Sequence, residues 1–116
     1  VMTYLKQRVE SCVAAGIQRE NIIVDPGFGF GKTLDHNFKL LAHLSEFNQL
    51  GLPILAGMSR KSMFGKLLDK KPTELEAASI AGALIAVQQG AHIFRVHDVA
   101  ATADALRVYA KVQRSK

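Results

Sequence analysis

The chain has 116 residues, 48% hydrophobic and 22% charged, with a net charge of +5. That is the composition of one small globular domain. No run approaches the roughly 20 apolar residues of a membrane span, and Cys12, the only cysteine, leaves no intrachain disulfide. The basic residues are scattered without the basic-aromatic stripe of a nucleic-acid binder, so a small anionic substrate accounts better for the charge. The start lacks the charged and then long apolar segment of a secretory leader, and a cytoplasmic location is expected.

Leu5, Val9, Cys12, Val13 and Gly16 step along one helical face. They predict a helix over 3–15, with Cys12 packed in the core and Gly16 as the C-terminal cap. Residues 21–24 form a short apolar strand. A loop over 25–34 leads to a second helix, in which Phe38, Leu41, Leu44 and Phe47 recur until Gly51 ends it. The second strand covers 53–56, with Pro53 at its entry, where a missing donor is tolerated. Thr73 and Glu76 then make a capping box, opening an alanine-rich helix over 77–89 that is apolar on most sides and so packed on more than one. The third strand covers 92–96. A last helix from about residue 100 turns Ala103, Leu106, Tyr109 and Val112 inward.

The order is α-β-α-β-α-β-α. Strands joined by helical crossovers pair in parallel, in an open doubly wound sheet or in part of a barrel. A (β/α)₈ barrel takes ~250 residues, and this chain opens on a helix with no strand before it. The expected fold is α/β: the C-terminal portion, about three βα units, of a TIM barrel, with 1–116 as one partial domain. Half a barrel holds half a site, so the chain alone is expected to be inactive.

Each strand ends in residues capable of chemistry. The first runs into Asp25-Pro26-Gly27-Phe28-Gly29-Phe30-Gly31-Lys32, the second into Gly57-Met58-Ser59-Arg60-Lys61-Ser62, and the third into Arg95-Val96-His97-Asp98. Polar groups at the carboxyl ends of parallel strands are the pattern of a substrate site. The glycine loop is neither a Walker A loop, since Pro26 stands at the first glycine position, nor a dinucleotide fingerprint, since its glycines alternate strictly. A carboxylate at the tip of an apolar strand needs a partner. Asp25 could accept two adjacent donors of an aminopyrimidinone ring or pair with Lys61 or Arg95. Lys61 could donate to a carbonyl, a ring nitrogen or an anion, or remain a solvated charge. Arg95 and His97, two apart on a strand, share one face and suit phosphate or pyrophosphate. His36, His43 and His92 lack ligand spacing, so no metal site is expected within the chain.

Together the three motifs, in order and separation, strongly resemble the C-terminal part of the bacterial dihydropteroate synthase family. The resemblance covers essentially the whole chain. It implies an enzyme of folate biosynthesis that joins 6-hydroxymethyl-7,8-dihydropterin diphosphate to p-aminobenzoate, giving 7,8-dihydropteroate and pyrophosphate. It further implies sulfonamides as competitors of p-aminobenzoate, a homodimer when intact, and Mg²⁺ held by an asparagine outside this chain. Carried over by position, Asp25 and Lys61 are catalytic and bind the pterin, and Gly57 lets the ring approach the backbone. Phe30, Lys61 and Ser62 form the p-aminobenzoate pocket. Arg95, Val96 and His97 hold the pyrophosphate. The alternatives are a pterin-binding methyltransferase domain, whose chemistry has no pyrophosphate to hold, and a non-catalytic anion-binding module.

Overall fold

The computed structural model describes residues 1–29 and 32–116. Helix α1, Met2–Ala14, ends as expected: Gly16 takes φ +101°, its N–H bonds the Val13 carbonyl at 3.1 Å, and the Ile17 N–H bonds that of Cys12 at 3.0 Å. This is the paired bond pattern of a left-handed helix stop. The helix meets the core through its first turns, with Val9 buried and Met2 and Leu5 packed beside it. Cys12 is therefore only half-buried and Val13 is exposed, not the core positions expected.

The first strand contracts to a single parallel bridge, Val24 with Ile54. The Val24 N–H bonds the Pro53 carbonyl at 3.0 Å, and the Leu55 N–H bonds the Val24 carbonyl at 2.8 Å. In a parallel ladder the next rungs on either side would need amide donors from Pro53 and Pro26, and proline has none. The two prolines frame the bridge and confine it to one residue pair. The second and third strands shorten to β1, Leu55–Ala56, and β2, Ile93–Phe94, paired in parallel with Leu55 opposite Ile93 and Ala56 opposite Phe94. The segments lie in the order Val24, β1, β2, with Ile54–Ala56 in the middle.

The expected second helix is two pieces. Helix α2, Leu34–Ala42, starts with the Thr33 hydroxyl accepting the His36 N–H, and passes at His43 into a 3₁₀ helix, Leu44–Leu50. The apolar residues 38, 41, 44, 47 and 50 recur every three residues, the repeat of a 3₁₀ helix. Leu41, Leu44, Phe47 and Leu50 are all buried by it. A short helix missing from the expected α-β-α-β-α-β-α order, α3, Ser62–Leu68, follows β1 and buries Met63 and Phe64. The capping box also moves. Pro72 starts a 3₁₀ turn, Pro72–Glu74, and the Glu74 carboxylate accepts the Lys71 N–H at 3.1 Å, so Thr73 and Glu76 do not cap each other. Helix α4, Glu76–Gln88, buries Ser79, Gly82, Ala83 and Ala86, small residues that admit close neighbours. Helix α5, Val99–Arg114, buries Thr102. Leu106 and Tyr109 are half-buried beside it, while Ala103 and Val112 face outward.

The core is built on Phe28, Leu44, Ile54, Met63 and Leu75, each essentially inaccessible. No helix among the described residues is long and apolar enough to cross a membrane. Leu44→Ala is expected to cost about 2–5 kcal/mol in urea unfolding of the full-length gene product. Leu67→Ala, at a residue 59% exposed, is expected to stay within about 0.5 kcal/mol. Equal losses would place Leu44 outside the core.

Candidate active site

Parallel pairing brings three chain segments to one edge of the sheet: 25–29 after the Val24 bridge, 57–61 after β1, and 95–98 after β2. One Asp25 carboxylate oxygen accepts the Gly27 N–H at 2.8 Å. The other lies 3.7 Å from the Arg95 guanidinium, both side chains being well exposed. The glycine loop is stitched to its surroundings. Lys32 donates to the Gly27 carbonyl at 2.7 Å, and the Gly29 N–H donates to Asn37 Oδ1 at 2.8 Å. Asn37 is buried, and its amide donates to the Thr33 carbonyl at 3.0 Å.

Lys61 reaches from the second segment to the first, its ammonium donating to the Phe28 carbonyl at 2.5 Å. Burial pushes its pKa below the ordinary lysine value. The positive charge of Arg95 pushes it further the same way, as does Lys32, while Asp25 opposes. Gly57 lies under the Arg95 guanidinium: a Cβ there would stand 2.9 Å from Arg95 Cζ, so a side chain at 57 would push this exposed guanidinium aside. Lys61 and Ser62 line a cleft of about 200 Å³ with Phe28 and Gly29.

The rest of the second segment is turned toward the third. Arg60 adopts the left-handed region, φ 55°, uncommon for a side chain of its size. Its N–H donates to Ser79 Oγ at 2.8 Å, and Ser79 Oγ donates to the Leu75 carbonyl at 2.6 Å. In this pose its guanidinium grips both Asp98 oxygens, at 2.5 and 3.2 Å, and Asp98 raises the arginine's already high pKa. Ser59 is buried, its Oγ accepting the His97 backbone N–H at 3.2 Å and lying 3.0 Å from His97 Nδ1.

Asp25, Gly57, Lys61 and Arg95 are thus brought together, and Ser62 opens the adjoining cleft. Phe30, expected in that pocket, lies outside the described residues. Val96 is half-buried. Because β2 ends at Phe94, strand alternation is not what aligns Arg95 and His97: Arg95 leans over Gly57 toward Asp25, and His97 rests on Ser59. Asn37, Ser79 and the Arg60–Asp98 pair are supports the sequence reading missed. Only Asn37 had a signal, as a lone amide within the apolar run Leu34, Phe38, Leu41. Among the described residues, no three His, Cys, Asp or Glu side chains cluster to hold a metal ion. A larger cleft of about 490 Å³ lies off this edge, between the start of α1 and α2, and shares only Lys32 with the polar loops.

A family profile described as pterin binding enzyme matches residues 1–97. The dihydropteroate synthase of Haemophilus influenzae is 57% identical over 109 residues, 94% of this chain and 40% of the relative. That of Escherichia coli K12 is 54% identical over 108 residues, 93% and 38% of the two. The Yersinia pestis dihydropteroate synthase solved as a sulfonamide drug complex superposes with a TM-score of 0.95 at 49% identity, over 98% of this chain and 42% of that one. The Xanthomonas albilineans enzyme in complex with 7,8-dihydropteroate gives 0.94 at 47%, over 97% and 43%. The chain spans about 40% of the length of these curated relatives.

A lysine whose pKa is depressed on folding costs stability while charged. The cost is full below its folded pKa and is relieved as pH rises through that value toward the ordinary 10.5. Lys61→Met in the full-length gene product is therefore expected to raise Tm at neutral pH, with the gain shrinking toward pH 10.5. A lower Tm at neutral pH would show that the Phe28 hydrogen bond outweighs the burial cost.

Proposed function

Because the chain belongs to the pterin-binding enzyme family, we propose that it supplies the pterin- and diphosphate-binding side of a dihydropteroate synthase. The reaction is condensation of 6-hydroxymethyl-7,8-dihydropterin diphosphate with p-aminobenzoate. The observation that carries this reading is the convergence of Asp25, Lys61 and Arg95 at the carboxyl edge of the sheet. It puts a two-oxygen acceptor, a half-buried ammonium and a guanidinium around one opening.

In this reading the Asp25 carboxylate accepts the pterin's exocyclic amine and ring N–H, two donors side by side. Lys61 exchanges the Phe28 carbonyl for the acceptor side of the ring, and Gly57 keeps the backbone low enough for the ring to approach. The bond between the methylene carbon and the bridging oxygen breaks, and its electron pair leaves with the diphosphate. Arg95 and His97, with the backbone at Val96, receive the charge that grows on the leaving group. The carbon left behind is a cation conjugated with the pterin, which the Asp25 carboxylate stabilises. The arylamine nitrogen of p-aminobenzoate attacks it and loses a proton. Ser62 and Lys61, with Phe30, hold the aryl acid in the adjoining cleft, where sulfonamides compete.

The described residues offer no cluster fit for the Mg²⁺ that the resemblance implies. We place its ligand outside these 116 residues, and none of the steps above runs through it. We further propose that the chain is the C-terminal portion of a TIM barrel whose missing strands complete the site, in a cytoplasmic homodimer. The exposed valines of α5, Val108 and Val112, support a subunit contact there. A methyltransferase reading leaves Arg95 and His97 without an anion to hold. A non-catalytic module makes Asp25 and Lys61 dispensable.

In the full-length gene product, Lys61→Ala and Asp25→Asn are each expected to lower kcat/KM for dihydropteroate formation by roughly 10²–10³-fold. Residues 1–116 alone are expected to form no product. Undiminished turnover in both variants would overturn the proposal.

A further inference from the structure

His97 sits on a segment that is already fixed without its side chain. One residue later Asp98 is clasped by Arg60, and two residues earlier the Arg95 N–H bonds the Ala56 carbonyl at 3.1 Å. The freedom left is rotation of the imidazole, which is exposed. Among the described residues, the ring's hydrogen-bond partner is Ser59 Oγ alone, at 3.0 Å from Nδ1. Ser59 is buried, and its hydroxyl has one proton to give. That oxygen already accepts the His97 backbone N–H, so its own proton is available to Nδ1. A neutral imidazole held in this way carries its N–H on Nε2, the nitrogen left for a ligand.

We infer that Ser59 is a positioning residue: through its two contacts with His97 it holds the imidazole with an Nε2–H donor presented to the diphosphate. This rests on the reading of 95–97 as the diphosphate-holding segment. The effect on affinity is one of pre-organisation. The ring is set before the ligand arrives, and the serine touches no part of the substrate. A cavity of about 10 Å³ beside Ser59, lined also by Ser79, Ala83 and Phe94, is about one water in size. Ser59→Thr retains the hydroxyl and adds one methyl group beside this cavity.

The test is titration calorimetry of inorganic pyrophosphate against the full-length gene product, with four variants. Ser59→Ala is expected to weaken binding about five- to tenfold with KM for p-aminobenzoate unchanged, and Ser59→Thr to bind as the wild type does. His97→Ala is expected to weaken binding at least as much. In the double variant, Ser59→Ala should add less than about twofold to His97→Ala, because the serine acts through the ring. Wild-type affinity in Ser59→Ala, or full additivity in the double variant, would overturn the inference while leaving the diphosphate site intact. Wild-type affinity in His97→Ala would instead overturn the reading of the site itself.

Discussion

The central segment Ile54–Ala56 holds the rest of the molecule together. On one side its flanking amide and carbonyl bond Val24. On the other the Ile54 carbonyl accepts from His92 and Ile93, and the Ala56 carbonyl from Arg95. These few parallel rungs, anchored by an inaccessible Ile54 side chain, set where all three polar segments emerge. Parallel pairing makes them emerge in the same direction. Had any one strand run antiparallel, Asp25, Lys61 and Arg95 would stand at opposite ends of the core. The prolines that cut the Val24 pairing to one bridge also release the chain at Asp25, so the carboxylate is free of the ladder one residue after the last rung.

The edge so formed is electrostatically unbalanced. Arg95 and Lys32 both act on Lys61, in a region where Asp25 is the opposing charge. Packing positive charges together while partly removing them from water costs stability. A ligand carrying several negative charges relieves the repulsion when it binds. Burial is the first cause of the depressed Lys61 pKa and the neighbouring cations add to it; those same cations favour the diphosphate binding proposed here. The glycine loop closes one side of this crowd through backbone carbonyls, those of Gly27 and Phe28, each engaged by a lysine.

Much of this was legible in the sequence, and the misses have physical reasons. Chemistry-bearing residues at strand tips stood out, because charge directly after an apolar run is costly unless used. The three-residue repeat from Phe38 to Leu50 was visible too, yet a helix of 3.6 residues per turn tolerates such spacing long enough to hide the change at His43. Strand lengths were overstated because apolar runs show burial, whereas ladder length depends on amide donors, and Pro26 and Pro53 remove them. The supports were the least legible. Ser59 and Ser79 read as ordinary polar residues until the backbone brings His97 and Arg60 to them. Nothing local marks Arg60 for a left-handed backbone, since that conformation usually goes to glycine or asparagine.

That backbone at Arg60 explains how two adjacent cations come to have opposite tasks. In an extended segment, Arg60 and Lys61 would point to opposite faces by simple alternation, one into the opening and one away from the partner loop. The left-handed turn, with the Arg60 N–H anchored on Ser79, carries the guanidinium across to Asp98 instead. Asp98 satisfies it with two bonds, which leaves little of its charge for a ligand. Lys61 begins a new helix one residue later and is directed back to Phe28. The arginine thus spends its charge fixing the 57–61 segment to the 95–98 segment, and the lysine keeps its own at the opening. Exchanging the two would not be conservative: a lysine at 60 lacks the planar fork that matches a carboxylate, and an arginine at 61 would bring a larger cation beside Gly29, where an added Cβ would stand 3.2 Å from Lys61 Cδ.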